Sequence, residues 1–451
     1  MKTLFQNLRF DKKFKLVAIA CIILIGFLAS TLFHYYEGYV LQKPYPYTTF
    51  LFLPSDRFAD YFVLPLVNSN LNPYFNPIIP SAQYPLVNVF GYLFSLLPPK
   101  ASFLLFMTLI SAAYIYLSYL ILWGWGKLPR RLLPLIIPIL VLTYPFLFTL
   151  DRGNIEILLF VFLLFFLLFF IQKKYVLSAI FLSFAIALKV YPAVFLVLYV
   201  PEKKYRALVL SIGVTALLTL GSLALFSGGF LANVQFLIHA SNFSNGNLVF
   251  FLGSANMVQR GVSLFTFFKI LFLETGWIAH INMPHFLSAY IKVAALSFVP
   301  LAAYIVWVEK TLWRRVALLV FAMLLLPHVS ADYKLIHLYL PLFLFILADE
   351  HSRLDYLYLL IFGLLMIPKD YYYFPTTLSD SLTHDISISV MINIVLMVLM
   401  SALIVVSGLR KSGTVQIKAG LVRIGNLFKL PKSSDQPLKL PREEMASSPL
   451  K

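Results

Sequence analysis

Four short polar segments interrupt an otherwise apolar chain, and each could do chemistry. The first, Pro54-Ser55-Asp56-Arg57-Phe58-Ala59-Asp60-Tyr61, sets two carboxylates four residues apart. With Ser55 as an N-cap, a helix starting there carries Asp56 and Asp60 on one face. Neighbouring carboxylates can divide labour, one staying ionised as a base while the other binds a hydroxyl or a cation. The plainer reading is a solvated loop with a capping Asp and an Asp56–Arg57 pair. The second segment, Asp151-Arg152-Gly153-Asn154-Ile155-Glu156, packs four polar side chains around one glycine at the head of an apolar run. Asn154 as a helix cap and Glu156 in the first turn account for two of them. Asp151 and Arg152 are left over for a site. The third, Lys189-Val190-Tyr191-Pro192, puts a lysine and a proline in the middle of an apolar stretch. Lys189 is either a snorkelling cation or a fixed positive charge for a phosphate. The fourth, running from Pro327 to His337, holds His328, Asp332, Lys334 and His337. The spacing of the two histidines and the aspartate is not that of a compact metal set, and soft ligands are absent. No metal site or other cofactor is expected, although acids of this kind are compatible with an assisting divalent cation.

The elements that must position these residues follow from composition. Of 451 residues 60% are hydrophobic and 12% charged, and the mean hydropathy is +0.85. A soluble globular protein carries about 25% charged residues. The chain cannot cover its surface with polar groups, which excludes a soluble enzyme, a disordered protein and a disulfide scaffold. The apolar stretches are continuous and do not alternate, so helices are expected and a β-barrel is not. The single Cys21 permits neither an internal disulfide nor a thiolate metal site. The net charge of +17 would suggest nucleic acid in a soluble protein. Here it is the excess that cytoplasmic loops collect, and no nucleic-acid partner is expected.

The expected fold is an all-α polytopic membrane protein with about 12 membrane segments. Residues 16–33 form an uncleaved anchor, too long for the apolar core of a signal peptide. Further spans are read at 101–123, 132–150, 155–171, 207–226, 286–308, 316–329, 335–347, 356–367 and 388–409. The stretch 176–200 has cations at both ends, with Lys189 and Pro192 between them. It reads as a hairpin of two short helices with Lys189 at the outer bend. A rival topology makes 176–200 one full span and 262–273 another. Lysine and arginine then mark the inner side, with both termini cytoplasmic. The transmembrane domain is placed at 1–409. It has a first outer loop at 34–100, where 85–97 is too short to span and lies along the surface. A second long outer region covers 227–285, with an interfacial or re-entrant helix near 262–273. Residues 410–451 form a basic cytoplasmic tail, part helix and part disorder.

Taken in order, the polar segments resemble a known family. An acidic first loop is followed by Asn72-Pro73-Tyr74 and Tyr84-Pro85. Then come Asp151-x-Gly153-Asn154 opening a span, Lys189-x-x-Pro192, and Ser330-x-Asp332-Tyr333 late in the chain. This series resembles glycosyltransferase family 87, of the polytopic GT-C superfamily. Leu86 stands where the family has a second proline, and the tail beyond Arg410 matches nothing in it. The resemblance implies a GT-C-like helical bundle with an outer-face cavity, in the cytoplasmic membrane. It implies transfer of a hexose, most often mannose, from a polyprenyl-phosphate donor to a lipid or glycan acceptor. Either Asp56 or Asp60 would be the base, and Lys189, Arg152 and Lys334 would bind the donor phosphate. Tyr84, Asp151, Asn154, Tyr191, Asp332 and His337 would contact substrate. A transporter or flippase is disfavoured, since the spans carry almost no acids and the halves show no repeat. An O-antigen-type ligase or polymerase is disfavoured because the late loop is short and tyrosine-rich.

Overall fold

Hydrocarbon offers no partner for a backbone N–H or C=O, so long apolar runs must close their hydrogen bonds within a helix. The computed structural model describes residues 11–67, 72–75, 81, 83–125, 132–239, 260–349, 352–375 and 385–427. Among them, five helical stretches are long and apolar enough to cross a bilayer: Lys12–Val40, Pro99–Gly124, Tyr205–Leu225, Met283–Trp307 and Ser389–Lys411. In chain order the helices are α1 (Lys12–His34), α2 (Ala59–Val67), α3 (Pro85–Ser95), α4 (Pro99–Tyr119), α5 (Leu133–Val141) and α6 (Tyr144–Arg152). They continue with α7 (Glu156–Ile171), α8 (Tyr175–Leu188), α9 (Tyr205–Leu225) and α10 (Phe230–His239). The rest are α11 (Leu264–Glu274), α12 (Met283–Trp307), α13 (Leu312–Leu325), α14 (Tyr339–Leu347), α15 (Asp355–Met366) and α16 (Ser389–Leu427). A short antiparallel pair, β1 (Tyr373–Pro375) with β2 (Asp385–Ser387), closes the late loop. The chain forms two units, Met1–Val405 and Val406–Lys451, and everything discussed below lies in the first.

The helices fall into two kinds. On α12 only Tyr290, Tyr304 and Ile305 are buried, and α9 leaves Val209, Leu217 and Leu225 open. Such uncovered apolar faces fit a lipid solvent. By contrast α7, the run EILLFVFLLFFLLFFI, is buried nearly all round, as are α13 and α14. A helix apolar on every face suits either a core or a membrane span, and burial marks these three as core helices. These inner helices are shorter than the outer ones, so among the described residues five helices, or six if a bent pair is one span, have the length and composition of a full crossing, and the expected count of about 12 segments is not reached at that length.

That bent pair is the expected span 132–150. It is two helices, α5 and α6, meeting at 50°. Pro145 in the first turn of α6 denies an N–H to the carbonyl four residues back and clashes with it, which ends α5. The stretch 176–200 breaks as expected: α8 ends at Leu188, Lys189 is extended, and a 3-10 helix runs over Tyr191–Tyr199. The Ser178 and Tyr199 hydroxyls lie 2.9 Å apart, so the two legs run back along each other. Segment 85–97 contains α3, and 262–273 contains most of α11. Of the sequence expectations, residues 240–259 of the region 227–285, the centre of the late loop and the tail beyond Leu427 lie outside the described residues.

Candidate active site

The two acids of the first loop meet, but not on one helix face. Pro54–Asp56 is a single 3-10 turn without a side-chain cap, and α2 begins only at Ala59. Between them Phe58 has φ +62°, a strained value for a bulky residue. The expected helix from Ser55 fails because Asp151 takes the segment's hydrogen bonds. The Phe58 N–H donates to the Asp151 carbonyl at 2.8 Å, and the Phe52 N–H to its Oδ2 at 3.1 Å. Arg57 Nε donates to Asp151 Oδ1 at 3.1 Å, so Arg57 pairs with Asp151 and not with Asp56.

Asp56 and Asp60 are gathered by Arg152 at the end of α6. Arg152 Nη1 donates to Asp56 Oδ2 at 2.7 Å and to its carbonyl at 3.1 Å. Nη2 and Nε both reach Asp60, the latter at 3.3 Å from Oδ2. The guanidinium rests on the Phe52 ring, 4.3 Å from its centroid. Gly153 follows at φ +61°, ending α6 in the left-handed turn that glycine favours. A Cβ there would stand 2.9 Å from the Cβ of Tyr61, so this glycine also lets α2 approach. Asn154 then does two things: its Oδ1 accepts from the Glu156 N–H at 2.9 Å, and its Nδ2 donates to Asp60 Oδ2 at 2.7 Å.

One turn further, Glu156 opens α7 with its side chain fully buried. Lys189 Nζ donates to Glu156 Oε2 at 2.6 Å. The Tyr191 hydroxyl donates to Oε1, which also lies 2.7 Å from His337 Nε2. Burial works against the Lys189 charge, but the Glu156 carboxylate outweighs it and holds the ammonium above its ordinary range. Lys334 lies over the Tyr191 ring at 4.4 Å and donates to the Val329 carbonyl at 3.0 Å. Burial pushes it down to about 8, with Glu156 opposing and Lys189 assisting. Tyr333 joins the two groups: Lys189 lies 5.3 Å from its ring centroid, and the charges of Asp60 and Arg152 also act on it. Among the described residues His337 Nδ1 has no hydrogen-bond partner.

A third group lies beside these. The Tyr144 hydroxyl donates to Asp332 Oδ2 and accepts from Arg260 Nη1 at 3.2 Å. Arg260 pairs with Asp370 at 3.0 Å, and Asp370 also accepts from the Ser387 and Ser389 hydroxyls. Burial raises Asp332 to about 7 against the pull of Arg260 and the Tyr144 bond.

Of the residues expected from the sequence, Asp56, Asp60, Asp151, Arg152 and Asn154 form one connected group. Lys189, Tyr191, Lys334 and His337 form an adjoining one around Glu156. Asp332 sits in the third group, and His328, Asp332 and His337 do not converge on one point. Tyr84 stands apart: it is exposed at the head of α3, and among the described residues its side chain has no hydrogen bond to any of these groups. The sequence reading gave Glu156 only a place in a helix's first turn, gave Arg57 the wrong partner, Asp56, and passed over Tyr144, Arg260 and Asp370. A fully apolar run opening on a carboxylate was a signal for Glu156, since such a charge needs a buried partner. Arg260 and Asp370 gave no comparable signal.

The apolar helices are those of a multi-pass membrane protein, with charged groups gathered at the ends of buried helices. The chain belongs to glycosyltransferase family 87, whose model matches residues 84–330. A comparison with curated proteins found no match, and neither did a comparison with solved structures. The chain is thus a glycosyltransferase, using a sugar donor and an acceptor. The matched stretch includes the Asp151–Glu156 turn, Lys189 and Arg260, and leaves Asp56, Asp60, Lys334 and His337 outside it.

Proposed function

We propose that this protein transfers a hexose, mannose, from a polyprenyl-phosphate donor to a lipid or glycan acceptor at the outer face of the cytoplasmic membrane. The observation that carries this reading is the junction, through Asn154, of two groups of opposite character: acids held by Arg152, and lysines around the single carboxylate Glu156. The acceptor hydroxyl oxygen attacks the anomeric carbon while its proton passes to a carboxylate. The bond from that carbon to the phosphate oxygen breaks, and its electron pair leaves on the polyprenyl phosphate. Lys189 and Lys334 stabilise that leaving charge, which grows in the transition state. His337 and Tyr191 adjoin those lysines through their shared partner Glu156.

Asp60 is the better base of the pair. Asn154 ties it to the lysine group, donating to Asp60 Oδ2 at 2.7 Å while accepting from the N–H of Glu156 at 2.9 Å. Arg152 and Asn154 orient it, and three donors leave one acceptor site of the carboxylate open. In this reading Arg152 serves the acids first and the donor phosphate only through them. The purified protein, incubated with polyprenyl-phosphate mannose and a membrane lipid extract, should yield a lipid or glycan heavier by one hexose in mass spectrometry. No hexose-bearing product from that donor would sink the reading.

A further inference from the structure

Arg260 lies outside the acid and lysine groups, yet it joins four segments of the chain. Its side chain is 10% exposed, and it stands on a short bridge in which the Asp332 N–H donates to the Arg260 carbonyl and the Val262 N–H to the Ser330 carbonyl, both at 2.9 Å. Nη2 donates to the Leu51 carbonyl at 2.8 Å and the Tyr45 hydroxyl at 3.3 Å. Nη1 donates to the Tyr144 hydroxyl at 3.2 Å and to Asp370 at 3.0 Å, and it reaches the Phe50 carbonyl at 3.5 Å. The residue after Leu51 is Phe52, whose N–H is held by Asp151 and whose ring is the shelf for Arg152. Arg152 in turn holds Asp56 and Asp60. An unbroken series of contacts therefore runs from Asp370 in the late loop through Arg260, Leu51, Phe52 and Arg152 to the acids.

We infer that Arg260 is a positioning residue for glycosyl transfer, fixing the first loop so that the Arg152-held acids meet the acceptor hydroxyl. This rests on the function proposed above. A planar guanidinium suits the task because its donors diverge at fixed angles toward acceptors on different segments, which an ammonium cannot reproduce. The competing account is that Arg260 merely neutralises buried Asp370. The two accounts differ in consequence. A neutralising arginine affects stability, whereas a positioning one affects turnover at unchanged donor affinity, because a displacement of about 1 Å at a reacting group costs about 10²-fold.

The test uses the full chain with Arg260→Lys, which retains the charge, and Tyr45→Phe, which removes one hydroxyl. Transfer is measured with donor titrated, alongside hydrogen–deuterium exchange of residues 45–62, with 175–200 as an internal reference. For Arg260→Lys we expect kcat to fall about 10²-fold with donor KM within about threefold of wild type. Exchange should quicken over 45–62 and stay unchanged over 175–200. Near-normal kcat, or unchanged exchange over 45–62, overturns the inference. If Arg260→Lys does not fold, Tyr45→Phe decides: a fall in kcat of about threefold or more at constant donor KM supports the role, and wild-type kcat overturns it. If the wild-type protein transfers nothing from the polyprenyl donor, the proposed function has failed, and the exchange measurement alone still decides whether Arg260 holds the first loop.

Discussion

Arg152→Lys separates two roles that the sequence could not distinguish. The cation could hold the donor phosphate or the two acids. In the structure its guanidinium is engaged by Asp56 through Nη1 and by Asp60 through Nη2 and Nε. A lysine keeps the charge but reaches one acid only. The other then loses a charge-assisted contact worth about 1.5–3 kcal/mol. The Asp56 side chain is 39% exposed and the Asp60 side chain 25%, so water makes good part of that loss, more for Asp56. The remaining effect is geometric. A base no longer held in place gives up part of the general-base contribution, about 10²–10⁴-fold in all. We therefore expect kcat to fall about tenfold to 10²-fold in Arg152→Lys, and further in Arg152→Ala, with donor KM within about threefold. Initial rates over a donor titration at saturating acceptor make the measurement. A donor KM raised tenfold or more with kcat preserved would refute this reasoning and return Arg152 to the phosphate.

Three further outcomes follow from the same geometry. Asp60→Asn should lose about 10²–10⁴-fold in rate and Asp56→Asn only about tenfold; the reverse order in initial-rate assays would move the base to Asp56. Lys334, held near 8, loses its charge as pH rises through that value. Donor KM should rise across that pH in the wild type and stay level in Lys334→Arg, and a level wild-type profile would remove Lys334 from the donor site. Asp332 is raised to about 7, far above its unfolded value, so folding favours its protonated form. That stabilisation is complete at low pH and is lost as pH rises from about 4 to about 7. Asp332→Asn should therefore gain on wild type across that interval in thermal unfolding, and a constant difference would show that Asp332 is not the titrating group.

What could be read from the sequence was local. Asn154 accepts the Glu156 N–H just ahead of α7, although Ile155 is the capping residue, and the chain doubles back at Lys189 and Pro192. Both follow from residue types a few positions apart. Charge pairing could not be read that way. The natural guess couples neighbours, Asp56 with Arg57 and Arg152 with Asp151. The folded chain exchanges those partners, because Asp151 turns inward to hold the first loop while Arg152 lies over Phe52. Lys189, with no acid beside it in sequence, meets Glu156 across 33 positions. Arg260 was invisible for the same reason, since all its acceptors lie on segments far away in sequence. The number of full crossings could not be read from apolarity, because a helix packed inside the bundle, such as α7 or α13, is as apolar as one that faces lipid. Composition cannot tell the two apart; burial can.

The charges of the site bear on the proposed reaction as a whole. The first group sets the carboxylates of Asp56, Asp60 and Asp151 against the guanidinium groups of Arg57 and Arg152. The second sets the ammonium groups of Lys189 and Lys334 against the carboxylate of Glu156, counting His337 as neutral. One negative charge is thus uncompensated on the acid side and one positive charge on the lysine side, with Tyr333 between them. Separated surplus charge is costly away from water and is most readily explained by a reaction that uses it. Glycosyl transfer from a phosphate makes both demands together. A surplus carboxylate is one free to take the acceptor's proton, and a surplus ammonium is one free to meet the departing phosphate. Were each group neutral in itself, base and phosphate site would first have to break an internal pair. The imbalance also predicts what removing Glu156 does: in Glu156→Gln burial is no longer opposed, so Lys189 and Lys334 lose charge more readily, and donor KM, measured over a donor titration, should rise; an unchanged donor KM would remove this pair of lysines from the phosphate site.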